Sequence, residues 1–431
     1  MKQHQINLKR ARKNQILPGL VMGLFIFCYQ GVLQAKEVLS LPKAFEQTLN
    51  FNADLQLFPY QVRSAEASKV QANLKPQAKV TLELENAFGN GDNTGLSQSE
   101  TTLTLGQIIE LGAKRKNRLR TADAKVDQLQ KQYDLKRVDV LAETGRRYHD
   151  VLRLQSIGDS YNRYIQRAQK ALKTIKNLAR SGSVGQAHVS KINLEVARAK
   201  AAQKQISTQS SQAKRKLAMM WQDPVNFEIV EGDLTKIPTL PSQQQIAVKL
   251  ETIPLIRLQQ SQVELAQQRL QLAKANGTND IDVGLGVRHL AETDDQALVF
   301  QFSMPIGQQN PNRGNILSAQ TEYEQSQLQQ SLMQKTMRLN LTERQQRLFS
   351  DHAHAATLQQ LLPQAEQLLK QTAKGYLHGQ YSIMEWVDAQ KTQFELEQES
   401  INTHSQIYLS LLELERLSGQ SLLTLAGESN E

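Results

Sequence analysis

Two kinds of hydrophobic pattern alternate along the chain. In the first, Leu119, Val126, Tyr133, Val140, Leu154, Tyr161, Ala168 and Ile175 fall on one seven-residue grid, with Arg147 the one polar intruder. A second set three residues on (Ala122, Leu129, Ile157, Tyr164, Ala171 and Leu178) completes a coiled-coil seam, broken by Lys136, Glu143 and Asp150. Helix breakers are scarce over the same stretch. There is no proline between Pro76 and Pro224, and the only glycines between Ala113 and Ser181 are Gly145 and Gly158. A second stretch, Asn315 to Lys374, has no glycine and only Pro363. Proline and glycine destabilise a helix interior, so their scarcity predicts long helices. A helix over 113–180 would extend about 100 Å at ~1.5 Å per residue. The seam of the second stretch is weaker and rich in glutamine, which predicts a face that meets water.

The second pattern has period two. Ile281, Val283, Leu285 and Val287 alternate with Asp282, Gly284, Gly286 and Arg288. After the turn-like run Ala291 to Asp295, Leu298, Phe300, Phe302 and Met304 alternate with Val299, Gln301 and Ser303. Earlier, Val80, Leu82 and Leu84 alternate with polar residues. A Gly/Asn/Ser-rich link from Gly89 to Glu100 then leads into Thr102, Leu103, Thr104, Leu105, Gln107 and Ile109. The expected strands are 78–88, 101–109, 280–290 and 297–306. Each is about 9–11 residues, the length of a tilted outer-membrane β-strand. Two ordinary hairpins on a soluble domain would show the same alternation.

These elements occur twice, at 41–220 and 241–420. An offset of 197 places Gly182 on Gly379 and Ile109 on Ile306. That period is too long for a solenoid and points to a duplicated unit within one subunit. The expected organisation is a leader at 1–35, a first repeat at 36–230 with a helical hairpin at about 113–220, and a second at 231–431 with a hairpin at about 312–420.

Charge first suggests a nucleic-acid partner, because 51 Lys+Arg against 42 Asp+Glu give +9. The N-terminus changes that picture. Lys2, Lys9, Arg10, Arg12 and Lys13 precede an apolar stretch from Ile16 to Leu33 and then Ala35, the layout of a signal peptide cleaved after Ala35. Removal takes five of the nine net charges and leaves +4. It also removes Cys28, the only cysteine, whose preceding Phe25-Ile26-Phe27 is no lipobox. The mature chain therefore has no cysteines for a disulfide framework or a multi-cysteine metal site. Export, the small remaining charge and the absence of interleaved aromatics exclude a nucleic-acid reading of Lys114, Arg115, Lys116, Arg118 and Arg120. At a strand–helix junction, the basic cluster Lys114, Arg115, Lys116 and Arg118 better suits lipid headgroups at a membrane interface.

Four strands cannot close a membrane barrel, and an open edge is forbidden in hydrocarbon. If the strands span a membrane, several chains must share one barrel: two chains give eight strands and three give twelve. At this point the chain resembles the TolC-like outer-membrane efflux proteins over essentially its whole mature length. The most specific piece is Tyr376-Leu-His-Gly379-Gln-Tyr-Ser382-Ile-Met-Glu385-Trp-Val-Asp388-Ala389, similar to the second helical hairpin of that family. The segment Gln107-Ile-Ile-Glu110-Leu-Gly112-Ala-Lys114-Arg115 resembles the strand-to-helix junction of the CzcC-like, heavy-metal branch, with Ala113 where a second glycine is common. Met304-Pro305-Ile306 and Asn312-Arg313-Gly314 form the matching junction of the second repeat.

The resemblance implies a mainly α fold with a small β part: a duplicated helix–β-hairpin–long helix–helix subunit. As a homotrimer it would form a 12-stranded outer-membrane barrel continuous with a periplasmic α-helical barrel. It also implies docking to a periplasmic adaptor and an inner-membrane RND pump. Docking is expected at the helix tips, Arg180, Ser181, Gly182, Ser183 and Gly185 in the first repeat and Tyr376, His378 and Gly379 in the second. Glu385 and Asp388, three apart on one helix face, would form an acidic ring at the periplasmic entrance of a trimer. His188, with Lys191 three on, occupies the corresponding place in the first repeat. The expected function is export of cobalt, zinc or cadmium cations. A channel for drug or type I secretion export, or a soluble periplasmic scaffold or adaptor, is the alternative.

No bound metal and no cofactor are expected. His352 and His354 in Asp351-His352-Ala353-His354 point about 200° apart on a helix, and the other histidines of the mature chain are scattered. The sequence has no Gly-x-Ser-x-Gly, phosphate loop or His-Glu-x-x-His, so no catalytic residues are assigned.

Overall fold

The computed structural model describes residues 37–237, 240, 250–307 and 310–419; the expected leader lies outside them. A short strand, β1 (Glu37–Leu39), leads to α1 (Leu41–Phe51), whose cap Ser40 accepts from the Lys43 amide. Asn52 then ends α1, caps α2 (Ala53–Ala72) through its side chain, and donates to the Met220 carbonyl at 2.8 Å. Strands β2 (Lys79–Glu85) and β3 (Glu100–Ile109) precede α3 (Lys114–Arg180), a single helix of 67 residues. Helix α4 (Gln186–Ala218) returns antiparallel, and β4 (Phe227–Val230) follows. The second half repeats the order: α5 (Pro254–Asn276), β5 (Ile281–Leu290), β6 (Asp295–Ser303), α6 (Arg313–Leu377) and α7 (Ile383–Ser418). Strand β2 stops at Glu85 rather than running to 88, because Asn86 and Phe88 adopt positive φ of 52° and 57° and turn the chain out.

The coiled-coil seam of α3 is where the core lies. Leu129, Val140, Leu154, Ile157, Tyr164, Ala168, Ala171 and Ile175 are all buried. The polar residues that interrupt the seam carry ion pairs instead: Lys136 with Asp54, Glu143 with Arg146 and Arg147, and Asp150 with Arg153. Packing falls into girdles along the length. At mid-length Tyr148, Val151, Leu152 and Leu154 pack with Leu39, Trp221, Phe227 and Val230 around the parallel pair β1–β4. The Tyr148 hydroxyl lies 2.9 Å from the Leu39 carbonyl and 2.6 Å from that of Glu231. A second girdle joins Ile253 and Ile256 to Met337, Leu341 and Leu348 of α6 and to Ile407, Leu411 and Leu414 of α7. Near the tips, Ile175, Ile192, Val196, Tyr376, Ile383 and Trp386 form a third.

At the other end of the long helices the four strands β2-β3-β5-β6 form one antiparallel sheet. The two repeats meet at the β3–β5 ladder, which runs unbroken from Glu100↔Leu290 to Ile109↔Ile281. Strands β2 and β6 are its two edges.

Candidate functional site

The register of the sheet sorts its side chains into two unlike faces. Val80↔Leu105↔Leu285↔Phe300 and Leu82↔Leu103↔Val287↔Leu298 are cross-strand rows on one side, with Leu84, Val283 and Phe302 beside them. These apolar side chains have no protein cover. Leu298 is 81% exposed, Phe300 72% and Leu82 68%. The opposite face carries Glu83, Glu85, Glu100, Thr102, Thr104, Arg288 and Gln301. Arg288 binds Glu100 at 2.6 Å, Glu85 at 3.2 Å and the Thr102 hydroxyl at 2.9 Å, tying three strands together. Gly286 lets Thr104 close over its strand; a Cβ there would sit 2.7 Å from the Thr104 hydroxyl and 2.6 Å from the Leu103 carbonyl. A sheet with one bare apolar face and one charged face suits a wall between lipid and water. No described helix is long and apolar enough to cross a membrane.

Ion pairs lock the sheet onto the helices. The chain leaves β3 through Gly112 and Ala113, both left-handed with φ of 66° and 58°. Gly112 is required here twice over, since a Cβ would lie 2.5 Å from the Thr278 hydroxyl. Lys114 pairs with Asp280 at 2.8 Å, and the same carboxylate accepts the Leu111 amide at 3.0 Å. Arg118 binds Glu110 through both oxygens and donates to the carbonyls of Ala72 and Leu74. The four cations of the basic cluster therefore divide into two pairs. Lys114 and Arg118 lie one helical turn apart on the inward side of α3 and hold the junction; Arg115 and Lys116 remain exposed.

The tips divide in a similar way. Arg180, Ser181, Gly182, Ser183, Gly185, His378 and Gly379 are exposed, and Gly182 and Gly379 turn the chain with φ of 75° and 74°. Tyr376 is not part of that surface. It is buried against Trp386, with ring centroids 5.3 Å apart, so it supports the turn rather than offering a docking contact. Glu385 and Asp388 are both exposed on the first turns of α7. Glu385 also closes a capping box with Ser382, accepting the Ser382 amide at 2.6 Å. That backbone bond, with the Ser382 hydroxyl, holds its carboxyl below the ordinary value, so it stays ionised.

Comparison with known proteins places this geometry. Residues 45–221 match the sequence profile of the family described as outer membrane efflux protein. The cobalt-zinc-cadmium resistance protein CzcC of Cupriavidus metallidurans is 22% identical over 389 residues, which cover 90% of this chain and 91% of that protein. The first half of the chain is thus similar to the outer membrane efflux protein family. Two solved structures share the fold of this chain. CusC, a protein that forms a transmembrane channel, superposes with a TM-score of 0.75 at 14% identity, covering 88% of this chain and 92% of the other. The outer membrane protein VceC of Vibrio cholerae gives 0.74 at 16% identity, covering 89% and 96%. The fold is thus that of the TolC-like outer-membrane channels.

Several structural features of this chain are not legible in its sequence. Arg288 was readable only as a polar position in an alternating strand; its partners are 188 and 203 residues away. His149 and His404 are buried in the helical wall, His149 stacked on Tyr408 at 5.1 Å. His354 pairs with Glu399 at 2.9 Å. Among the described residues, no three His, Cys, Asp or Glu side chains gather as a metal-binding set.

Proposed function

We propose that this chain is the outer-membrane channel subunit of a tripartite export system, cleaved after Ala35 and exported to the cell envelope. The observation that supports the reading is the sheet: among the described residues its apolar face has no cover and its two edges, β2 and β6, have no partners. In hydrocarbon each unpaired backbone group costs several kcal/mol, so the edges must find strands from other copies. Three copies pairing β6 to β2 give twelve strands, enough to enclose a pore. The charged face, with Arg288, Glu85 and Glu100, then lines the lumen. Arg115 and Lys116 face the inner headgroups, and α3, α4, α6 and α7 of each copy, twelve helices in the trimer, extend the wall into the periplasm.

At the far end, Glu385 and Asp388 would supply six carboxylates from three copies, a negative potential that favours cations. The exposed tip residues would receive a periplasmic adaptor linked to an RND pump, which provides the energy. Heavy-metal cations are the proposed cargo, supported by the likeness to CzcC and by the junction Gln107 to Arg115.

Membrane fractionation tests the first step. Heat-modifiable, SDS-resistant trimers in the outer-membrane fraction are expected, and recovery in the soluble periplasmic extract would refute the channel. For cargo, a deletion strain is expected to lose resistance to zinc, cadmium or cobalt while drug tolerance is unchanged; the reverse pattern points to drug export. In bilayers, Glu385→Ala with Asp388→Ala should reduce cation preference, and an unaltered reversal potential would remove the acidic ring from the reading.

A further inference from the structure

At mid-length, where α7 packs against both α3 and α6, the ion pairs do not balance. Glu413 of α7 is the hub. Arg416 binds it at 2.8 Å and 3.0 Å, Arg146 reaches it at 3.2 Å, and Arg344 stands 4.0 Å off. Burial opposes ionisation of Glu413, but the bonds from Arg416 and the charges of Arg416, Arg344 and Arg146 outweigh it and hold the carboxyl below its ordinary value. Arg416 is satisfied, since Asp139 takes its other side at 2.7 Å, and Arg146 is shared with Glu143.

Arg344 and Arg347 are in a different condition. Among the described residues neither donates a hydrogen bond. Their carboxylate neighbours are only Glu413 at 4.0 Å for Arg344 and Asp351 at 3.8 Å for Arg347. Together with Arg146 they overhang a groove of about 260 Å³, floored by Gln406, Leu409, Ser410 and Glu413. Those floor residues fall at i, i+3, i+4 and i+7, a single stripe of α7. Three guanidiniums therefore line a groove that contains one carboxylate, and a second hollow beside it adds Glu343 and Arg416.

We propose that this groove binds a small tetrahedral oxyanion of the phosphate class, gripped by Arg344 and Arg347 with Arg146 at the rim. A guanidinium presents paired N–H donors in a planar fork that matches two oxygens of such an anion, and the carboxylates beside these two forks stand at 4.0 and 3.8 Å, beyond hydrogen-bond reach. The amide of Gln406 and the hydroxyl of Ser410 are neutral donors at the floor. A lipid phosphate is not the source. Arg146 lies 32 residues past Lys114, the first residue of α3, which is about 48 Å along the helix from the sheet at ~1.5 Å per residue.

Ile407, Leu411 and Leu414, about 100° round α7 from that stripe, pack against Ile253 and Ile256, and His404, on the far side of the helix, bonds the Leu234 carbonyl at 2.7 Å. The groove thus opens on the side of the wall away from that segment. In the trimer proposed above this would be the lumen, where three copies bring nine groove guanidiniums to one level. That consequence rests on the proposed function, whereas binding to the groove does not.

The test uses the full-length protein in detergent, melted in sodium phosphate or in sodium chloride at matched ionic strength. Phosphate should raise Tm with a saturable dependence that chloride lacks. Arg344→Gln with Arg347→Gln should weaken phosphate binding at least tenfold. Arg153→Gln, one heptad along α3 and paired with Asp150, should leave it unchanged. On the unaltered protein, phosphate should also slow phenylglyoxal modification of Arg344 and Arg347 relative to Arg153, a readout that survives any misfolding of the variants. Equal effects of phosphate and chloride would reduce the groove to charge screening and overturn the proposal. So would a double variant with the original phosphate response. Dissociation of that variant, with no phosphate response in the parent, would instead assign the two guanidiniums to a neighbouring subunit. Export assays bear on the proposed function and leave these outcomes untouched.

Discussion

Ala113 shows how one residue can be legible as a departure and illegible as a conformation. In the sequence it stands where a second glycine is common; the structure gives it φ of 58°, the left-handed region where a Cβ meets the following carbonyl. Ala113→Gly should therefore stabilise the junction by about 1 kcal/mol, read as a higher midpoint in chemical denaturation. No gain would mean that the neighbouring pair Lys114–Asp280 already fixes this turn. His149 makes the same point for titration. Nothing in its spacing marks it as buried, yet both ring nitrogens lack hydrogen-bond partners and desolvation lowers its pKa to about 4. An unfolded histidine titrates near 6.5, so between roughly 4 and 6.5 the unfolded chain binds the extra proton. Stability from this site is complete above that window and falls as pH drops through it. The Tm difference between pH 7.5 and pH 5 should shrink in His149→Phe; an equal difference would move the acid sensitivity to other groups.

Elements were the most readable level. The heptad grid and the missing breakers marked α3 and α6 because helix periodicity is local, and the period-two runs marked the strands for the same reason. Pairing across elements is not local. Lys114 and Arg118 share a helix face by spacing alone, but the side they face is decided by Asp280 and Glu110, and the former belongs to the other repeat. Arg118 is raised by its bond to Glu110 despite partial burial. Replacing Glu110 with Gln leaves the guanidinium half-buried with weaker acceptors and should cost about 1–3 kcal/mol. Arg115→Gln, on the exposed side, should stay within about 0.5 kcal/mol. Equal costs, measured by urea unfolding, would mean that the exposed pair also binds something in the folded protein.

At the scale of the molecule, alternation foretold two faces for each strand, but only the register shows that the apolar rows of all four strands coincide. Val80, Leu105, Leu285 and Phe300 form one continuous row, as do Leu82, Leu103, Val287 and Leu298, and the charged residues collect on the reverse. A soluble domain would leave such a face in water at a cost proportional to its area. The difference is testable on one strand, because Phe300 and Gln301 are sequence neighbours on opposite faces. In an outer-membrane barrel an arginine at the lipid midplane costs about 2–4 kcal/mol, while lumen positions tolerate charge. Phe300→Arg should therefore sharply lower the yield of heat-modifiable trimer in the outer membrane, and Gln301→Arg should assemble almost normally. In water both positions are exposed, and a surface arginine at either would be nearly neutral. Equal assembly of the two variants would mean that the apolar rows meet a protein partner or solvent and not lipid; a large asymmetry fixes which face of the sheet is immersed and, through the β3–β5 ladder, the orientation of both repeats.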